Sequence, residues 1–460
     1  MYSLFWCLFS GLLVLGVLTA CHSGRKIGGA GIPGGGPAAT GQAIPGQRGA
    51  DAAGNMSDAD NQLPGDAANE HFLDTLLSRY PQYFARIVAH PDSFRVQVIY
   101  TRIDRNRDNK PSFRNYYFHA DPDQYFYPAS TVKLPVAALA LQKLNELKLP
   151  GLDRNSTCIT ERAYSGQTAV YNDPSTPDGR PTVAQYVKKV FLVSDNDAFN
   201  RLYEFLGQEP INVQLHKMGY RDAAILHRLD ISLSEQENRH TNPVNFFDTA
   251  SISLYNQPMQ NSTLKYPRRK DSLGNAWYHN DSLIHQPMDF SKKNRIALQD
   301  LHQILRSIIF PLSVSSGQNF NLRPEDYQFL LQYLSEYPRE SEFPSYDTAV
   351  YPDAYGKLLY WGGQGGSLPK GKLRIFNKEG DAYGFLTDIS YFADLEHGVE
   401  FMLSATIYCN SDGVMNDDLY DYDSVGLPFM QHLGQVIYEY ELKRPRKQLP
   451  DLSMFRLTYQ

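Results

Sequence analysis

The chain has 460 residues, 42% hydrophobic, 13% aromatic and 20% charged, with 44 basic against 50 acidic side chains and a formal charge of −6. This is the composition of a folded, soluble chain without strongly basic character, and it gives no support to nucleic-acid binding through a broad cationic face. At roughly 150 residues per domain the length admits up to three domains or one large domain with insertions, and the four cysteines exclude a disulfide-stapled miniprotein.

Leu8 to Ala20 (LFSGLLVLGVLTA) is almost wholly apolar, too short for a comfortable membrane span, and ends in small residues before Cys21, the pattern of a cleaved export signal. Leu18-Thr19-Ala20-Cys21 resembles a bacterial lipobox. The resemblance implies a signal peptide over 1–20, acyl chains on Cys21 that anchor the protein to a membrane, and a place in the bacterial cell envelope, facing the periplasm or the exterior. Gly24 to Gly65 holds 12 of the 33 glycines in 42 residues and no aromatic. Such a stretch buries too little apolar surface to offset chain entropy, so 21–68 reads as a flexible tether and 69–460 as the globular domain. Of the remaining cysteines, Cys158 and Cys409 read either as two buried thiols or as one disulfide.

His71 to Tyr80 has apolar residues at helical spacing, and Pro81 ends or kinks it. Phe94 to Ile103 alternates apolar with polar, Arg105 to Pro111 is turn-rich, and Phe113 to His119 is aromatic-rich, which reads as a strand hairpin. A long, largely helical region follows from Ser130 to about Asp248, with a helix over Ser130 to Leu147, another over Val183 to Leu192 and a third from Asp197. Ala250 to Phe290 is polar and weakly periodic and reads as an insertion. Ser313 to Asn321 and Pro338 to Lys370 are loop-rich, the latter a second insertion. Leu373 to Phe376, Gly384 to Phe392 and Val399 to Tyr408 read as strands, and Gly426 to Leu442 as a closing helix. Strands at both chain ends with helices between them predict an α+β fold. One antiparallel five-stranded sheet, built from both ends, packs against an all-helical subdomain in a single catalytic domain.

Ser130-Thr131-Val132-Lys133 stands where Pro128-Ala129 opens an apolar helix. An i, i+3 pair shares one helical face, so the Lys133 amine can stand beside the Ser130 hydroxyl. A serine hydroxyl is a poor nucleophile until a base takes its proton, and lysine serves only when burial or nearby cations favour its neutral form. The same S-x-x-K spacing occurs at Ser23/Lys26, Ser262/Lys265 and Ser367/Lys370, so the pair alone is weak. Its company is what distinguishes it: Ser194-Asp195-Asn196 between two helices, then Lys378-Glu379-Gly380 after a strand.

These three motifs, in this order, resemble those of the serine β-lactamases and penicillin-binding proteins, specifically the class A β-lactamases, over roughly Phe94 to Leu442. The resemblance implies that Ser130 is the acylated nucleophile and Lys133 its proton acceptor, and that Ser194 relays a proton to the leaving nitrogen. It further implies that Asn196 holds the acyl side chain and that Lys378 polarises Ser194 and attracts substrate. Backbone N–H groups of Ser130 and Asp381 would form the oxyanion hole, with Glu379, Gly380 and Asp381 lining the substrate strand. The implied substrate is a small β-lactam-like or peptidoglycan-derived amide, with no cofactor and no metal.

Two features depart from the family pattern. Arg228-Leu229-Asp230 and Thr241-Asn242-Pro243 look like the flanks of its omega loop, yet the place of its water-holding glutamate falls on Leu233; Glu235 and Glu237 nearby read more readily as exposed loop charges. In the third motif Glu379 stands where the family has Thr or Ser. With Asp381 it places negative charge where a β-lactam carboxylate would dock, and like charges about 4 Å apart at an effective dielectric near 20 repel by about 4 kcal/mol.

Other classes fare worse. The 12 histidines form no H-E-x-x-H, and no G-x-S-x-G is present. Asp417 to Asp423 lacks the glycine and spaced glutamate of a calcium loop and reads as a solvated acidic loop. The sequence thus predicts an exported, lipid-anchored serine hydrolase of β-lactamase type. A D,D-peptidase-like enzyme and a non-catalytic envelope-binding lipoprotein on the same fold are the alternatives.

Overall fold

The computed structural model describes residues 71–365, 367–368 and 373–459. The expected signal segment 1–20, the lipidation site Cys21 and the tether 21–68 therefore lie outside the described residues, as does part of the 338–370 insertion.

Helix α1, Phe72–Ser78, gives way to α2, Pro81–Ala89. Pro81 therefore opens a second helix besides ending the first, because its missing N–H costs nothing at a first helical position. The hairpin follows as β1, Gln97–Arg105, and β2, Pro111–Phe118. Helix α3, Lys133–Leu147, is buried nearly all round. Then come α4, Val183–Leu192, α5, Asn196–Leu206, α6, Gln208–Lys217, α7, Leu298–Ile309, and α8, Pro324–Ser335. The chain closes with β3, Leu373–Ala382, β4, Phe385–Asp394, β5, Val399–Tyr408, and α9, Leu427–Lys443.

The five strands make one antiparallel sheet in the order β3-β4-β5-β1-β2, so the two chain ends meet where β5 pairs with β1. This is the α+β architecture that the alternating segments predict. Strand alternation divides the sheet between two cores. Val98, Tyr100, Phe392 and Phe401 face α1, α2 and α9 through Leu73, Phe84, Leu433 and Ile437. Ile99, Ile103, Ile389 and Phe376 face the helical layer through Leu139 of α3 and Leu305 of α7. His302 of α7 ties that layer to the sheet: its ring nitrogens lie 2.7 Å from Thr101 Oγ1 and 2.7 Å from Ser404 Oγ.

The middle of the chain is less helical than its apolar pattern suggests. Thr157–Thr160, Val244–Phe247 and Ser253–Gln257 form a separate three-stranded sheet. The segment 250–290 is likewise no plain loop: its short strands include Ala276–His279, which pairs with Ser282–Ile284 and, in parallel, with Val414–Met415. The pairings of Thr157–Thr160 with Val244–Phe247 and of Ala276–His279 with Val414–Met415 join residues far apart in the chain, so local periodicity carries little trace of them, while the other two are local hairpins of short strands.

One buried ion cluster sets the shape of the loop between α6 and the small sheet. Arg228 Nε donates to Glu204 Oε1 at 2.7 Å, and the same carboxylate meets Arg201 at 3.0 Å. Burial pushes the Glu204 carboxyl up, against the pull of both guanidinium groups. Arg228 also donates to Glu237 O at 3.2 Å, to His240 O at 3.1 Å and to Asn242 Oδ1 at 3.1 Å. A single side chain thereby clasps the start of segment 228–242 to its end. Replacement of Arg228 by Ala removes this clasp and leaves Glu204 with Arg201 alone, so chemical denaturation of Arg228→Ala should show a loss of about 3 kcal/mol or more.

Candidate active site

Ser130 lies in a 3₁₀ turn, Ala129–Val132, directly ahead of α3. The turn forces Ala129 into a left-handed conformation at φ 45°, and Ser194 adopts φ 57°. Non-glycine residues there cost on the order of 1–3 kcal/mol each, strain that persists only where the surroundings impose it. Thr131 Oγ1 braces the turn by donating to Pro128 O at 2.6 Å. The first residue of α3 is Lys133, fully buried because apolar neighbours such as Leu134 and Val136 hold the helix inside the core.

The Lys133 amine joins two of the three motifs. Its Nζ lies 2.8 Å from Ser130 Oγ, 2.5 Å from Ser194 O, 3.1 Å from Ser194 Oγ and 2.7 Å from Asn196 Oδ1. A backbone carbonyl and an amide oxygen only accept, so Ser194 O and Asn196 Oδ1 commit two N–H donors. In the amine form, the lone pair is then left facing the serine hydroxyls, which is the geometry of a proton acceptor. Asp195, between Ser194 and Asn196, turns outward to cap α5, its Oδ1 accepting from Ala198 N at 2.8 Å.

The third motif lies within β3, which runs on to Ala382, six residues beyond the predicted strand. Lys378 is fully buried, and its Nζ donates to Ser194 Oγ at 3.0 Å. Ser194 Oγ thus sits between two lysines. Gly380 explains itself sterically: a Cβ there would stand 2.7 Å from Ser130 N, 2.9 Å from Pro128 O and 2.9 Å from Thr131 N. Only glycine lets β3 pass this close to the Ser130 turn. Asp381 follows, exposed at the rim. Because β3 is an edge strand of the sheet, its outer side is not covered by another strand of that sheet.

Glu379 does not project freely into the cleft. Its Oε1 accepts from Lys378 Nζ at 2.7 Å, and the residue is only 6% exposed. Behind it lies a buried polar cluster that sequence reasoning missed. Asp388 is its cross-strand partner; Asn377 Nδ2 donates to Asp388 Oδ1 at 2.8 Å, and Lys357 Nζ to Asn377 Oδ1 at 2.7 Å. Burial pushes the Asp388 carboxyl up to about 6 and the Lys357 amine down to about 8. Polar Asp388 and Ser390 at the inward positions of an otherwise apolar strand are the signal that marks this cluster. Gly356 and Lys357 of the second insertion close on the same region: Asn377 Nδ2 also donates to Gly356 O at 2.6 Å, and Gly356 packs on Glu379.

The omega-like segment 228–242 brings no carboxylate of its own to these groups. Glu235 pairs with Arg239 and Lys292, each at 3.1 Å. Glu237 completes a capping box with Ser234 and accepts from Ser165 Oγ at 2.8 Å. Leu233, at the glutamate's expected place, packs on Gly166. His227 is structural: its Nδ1 meets Arg228 O at 2.6 Å, its Nε2 accepts from Asn294 N at 3.2 Å, and burial pushes it down to about 4. Cys158 and Cys409 are free and buried in different cores, which removes the disulfide alternative; burial pushes the Cys158 thiol up to about 12. No cluster of metal-ligating side chains occurs among the described residues, the acidic run from Asp417 included.

The model of a family described as the beta-lactamase enzyme family matches residues 109–440, well over half of the chain. No curated protein matches. Among solved structures, the chain is similar to a protein named PBP-A (16% identity, covering 80% of this chain and 96% of that one, TM-score 0.44). It is also similar to β-lactamases from Desulfarculus baarsii (15%, 80% and 99%, 0.44) and Xanthomonas campestris (13%, 79% and 98%, 0.43). By the extent of the family match, the chain belongs to the beta-lactamase enzyme family.

Proposed function

We propose that the protein is an exported serine hydrolase that cleaves an amide or ester through a covalent acyl-enzyme on Ser130. The observation that carries this reading is the buried Lys133 amine, which meets Ser130 Oγ, Ser194 Oγ and Asn196 Oδ1 at once. Ser130 Oγ attacks the acyl carbon while its proton passes to Lys133 Nζ. The resulting oxyanion is held by the N–H groups of Ser130 and Asp381, a contribution of about 3 kcal/mol per well-placed donor. Ser194 then gives its proton to the leaving atom and recovers one from Lys133, which returns to the amine. Lys378 holds Ser194 in place for this relay. Lipid chains on Cys21 would keep the enzyme at the cell envelope, where β-lactam-like and peptidoglycan-derived amides are the substrates within reach.

Water must finally free the acyl group from Ser130. The omega-segment glutamates are engaged in capping and surface pairs, so this second half is the slow one and the acyl-enzyme accumulates. Intact-protein mass spectrometry after mixing with an activated ester and with a penicillin tests the reading. A lasting single-acyl adduct that vanishes in Ser130→Ala is expected from at least the ester. Neither adduct nor Ser130-dependent turnover with either compound would refute it and leave a non-catalytic binder. Gly380→Ala should slow acylation by at least about 100-fold, the scale of a lost oxyanion donor, because the new methyl forces β3 away from Ser130; stopped-flow acylation measures this.

A further inference from the structure

An ammonium offers three hydrogens, and Lys378 uses all three inside the protein: Ser194 Oγ at 3.0 Å, Glu379 O at 2.8 Å and Glu379 Oε1 at 2.7 Å. The arrangement follows from the sheet. Alternation sends Phe376, Lys378 and Gly380 to the helical side and Glu379 to the other, but β3 is an edge strand, so the Glu379 carboxylate curls round the open side to meet Lys378. It is held there from behind. A Cβ on Gly356 would stand 3.0 Å from Glu379 Oε2, so the backbone there leaves the carboxylate little room to swing away on that side. Lys357, on the same side, adds a second buried cation in its field. The pair Lys378–Glu379 is thus formally neutral and has no N–H to spare, and exposed Asp381 adds a negative charge at the rim.

We propose that Glu379 is a built-in occupant of the subsite where Lys378 would otherwise receive a substrate anion, so that the enzyme selects acyl donors whose leaving group is uncharged or cationic. This rests on the acyl-enzyme reading above. Glu379 acts here as a specificity determinant, and the chemistry of acylation is left to Ser130 and Lys133.

Three phenylacetyl thioesters that differ only in the leaving thiol test the proposal: mercaptoacetate, mercaptoacetamide and thiocholine. In each, the acyl C–S bond breaks, a C–O bond to Ser130 forms, and the thiol departs with a proton supplied through Ser194. The adduct is the same in all three, and dividing each acylation rate by the same thioester's rate of reaction with hydroxide removes the intrinsic reactivity of its thiol, so the normalised rates compared below report the leaving-group subsite. On the full chain the neutral and cationic thioesters should acylate about tenfold faster or more than the anionic one. In Glu379→Gln, which keeps the shape and removes the charge, the anionic-to-neutral rate ratio should rise about tenfold. Equal or faster acylation by the mercaptoacetate thioester in the wild type overturns the proposal even if the variant fails to fold. Neither adduct nor Ser130-dependent turnover with any of the three overturns the acyl-enzyme reading, and this inference with it.

Discussion

A single amine, that of Lys133, holds this site together. It is buried because α3 is buried, and once buried it needs oxygen partners, since an unpaired polar group in an apolar core is costly. Those partners are Ser130 from its own turn and Ser194 and Asn196 from the start of α5, 61 and 63 residues away in sequence. The same serine then reaches Lys378 across to the sheet edge. Helical layer and sheet are joined at this point by hydrogen bonds among Lys133, Ser194 and Lys378, so the geometry on which the proposed acyl transfer rests also closes the interface between the two halves of the fold.

Strain and close approach concentrate at the same place. Ala129 and Ser194 hold left-handed conformations, and Gly380 passes within backbone contact of Ser130. Each is unfavourable in isolation and is imposed by the elements around it: the start of α3, the cap of α5 and the edge of β3. Glu379 belongs to this set too, but its consequence is chemical. Its carboxylate pairs with Lys378, with Gly356 packed close against it, and under the proposal this pairing closes a subsite that would otherwise be cationic. In the proposed reading, proton transfer rests with Ser130, Lys133 and Ser194, and the electrostatics of leaving-group recognition with Glu379 on the strand opposite them.

Much of this is legible in the sequence because it is local. Strand alternation marks β1, aromatic enrichment marks β2, an apolar run marks α3, and the i, i+3 spacing of Ser130 and Lys133 already places amine beside hydroxyl. The strand β3 is read short, because Asn377, Lys378, Glu379 and Asp381 interrupt the apolar alternation that identifies a strand. The pairings of Thr157–Thr160 with Val244–Phe247 and of Ala276–His279 with Val414–Met415 are missed because they span long sequence separations, and the local hairpins within 250–290 because their strands are too short to show a period. The clasp of Arg228 is invisible, since its groups are brought together only by folding; Asp388 and Ser390 leave a polar trace in β4, but their partners Asn377 and Lys357 are disclosed only by the structure. Glu379 is legible as an anomaly but not as a paired group: only the structure shows its carboxylate turned back on Lys378.

The claim that Lys133 is the proton acceptor for Ser130 is tested most directly by single-turnover acylation of Lys133→Ala, with the neutral mercaptoacetamide thioester as acyl donor and folding checked by circular dichroism. The account predicts a rate lower by about 10²–10⁴, the usual contribution of a positioned base, in a protein that remains folded. A folded variant that acylates Ser130 at the wild-type rate would contradict it.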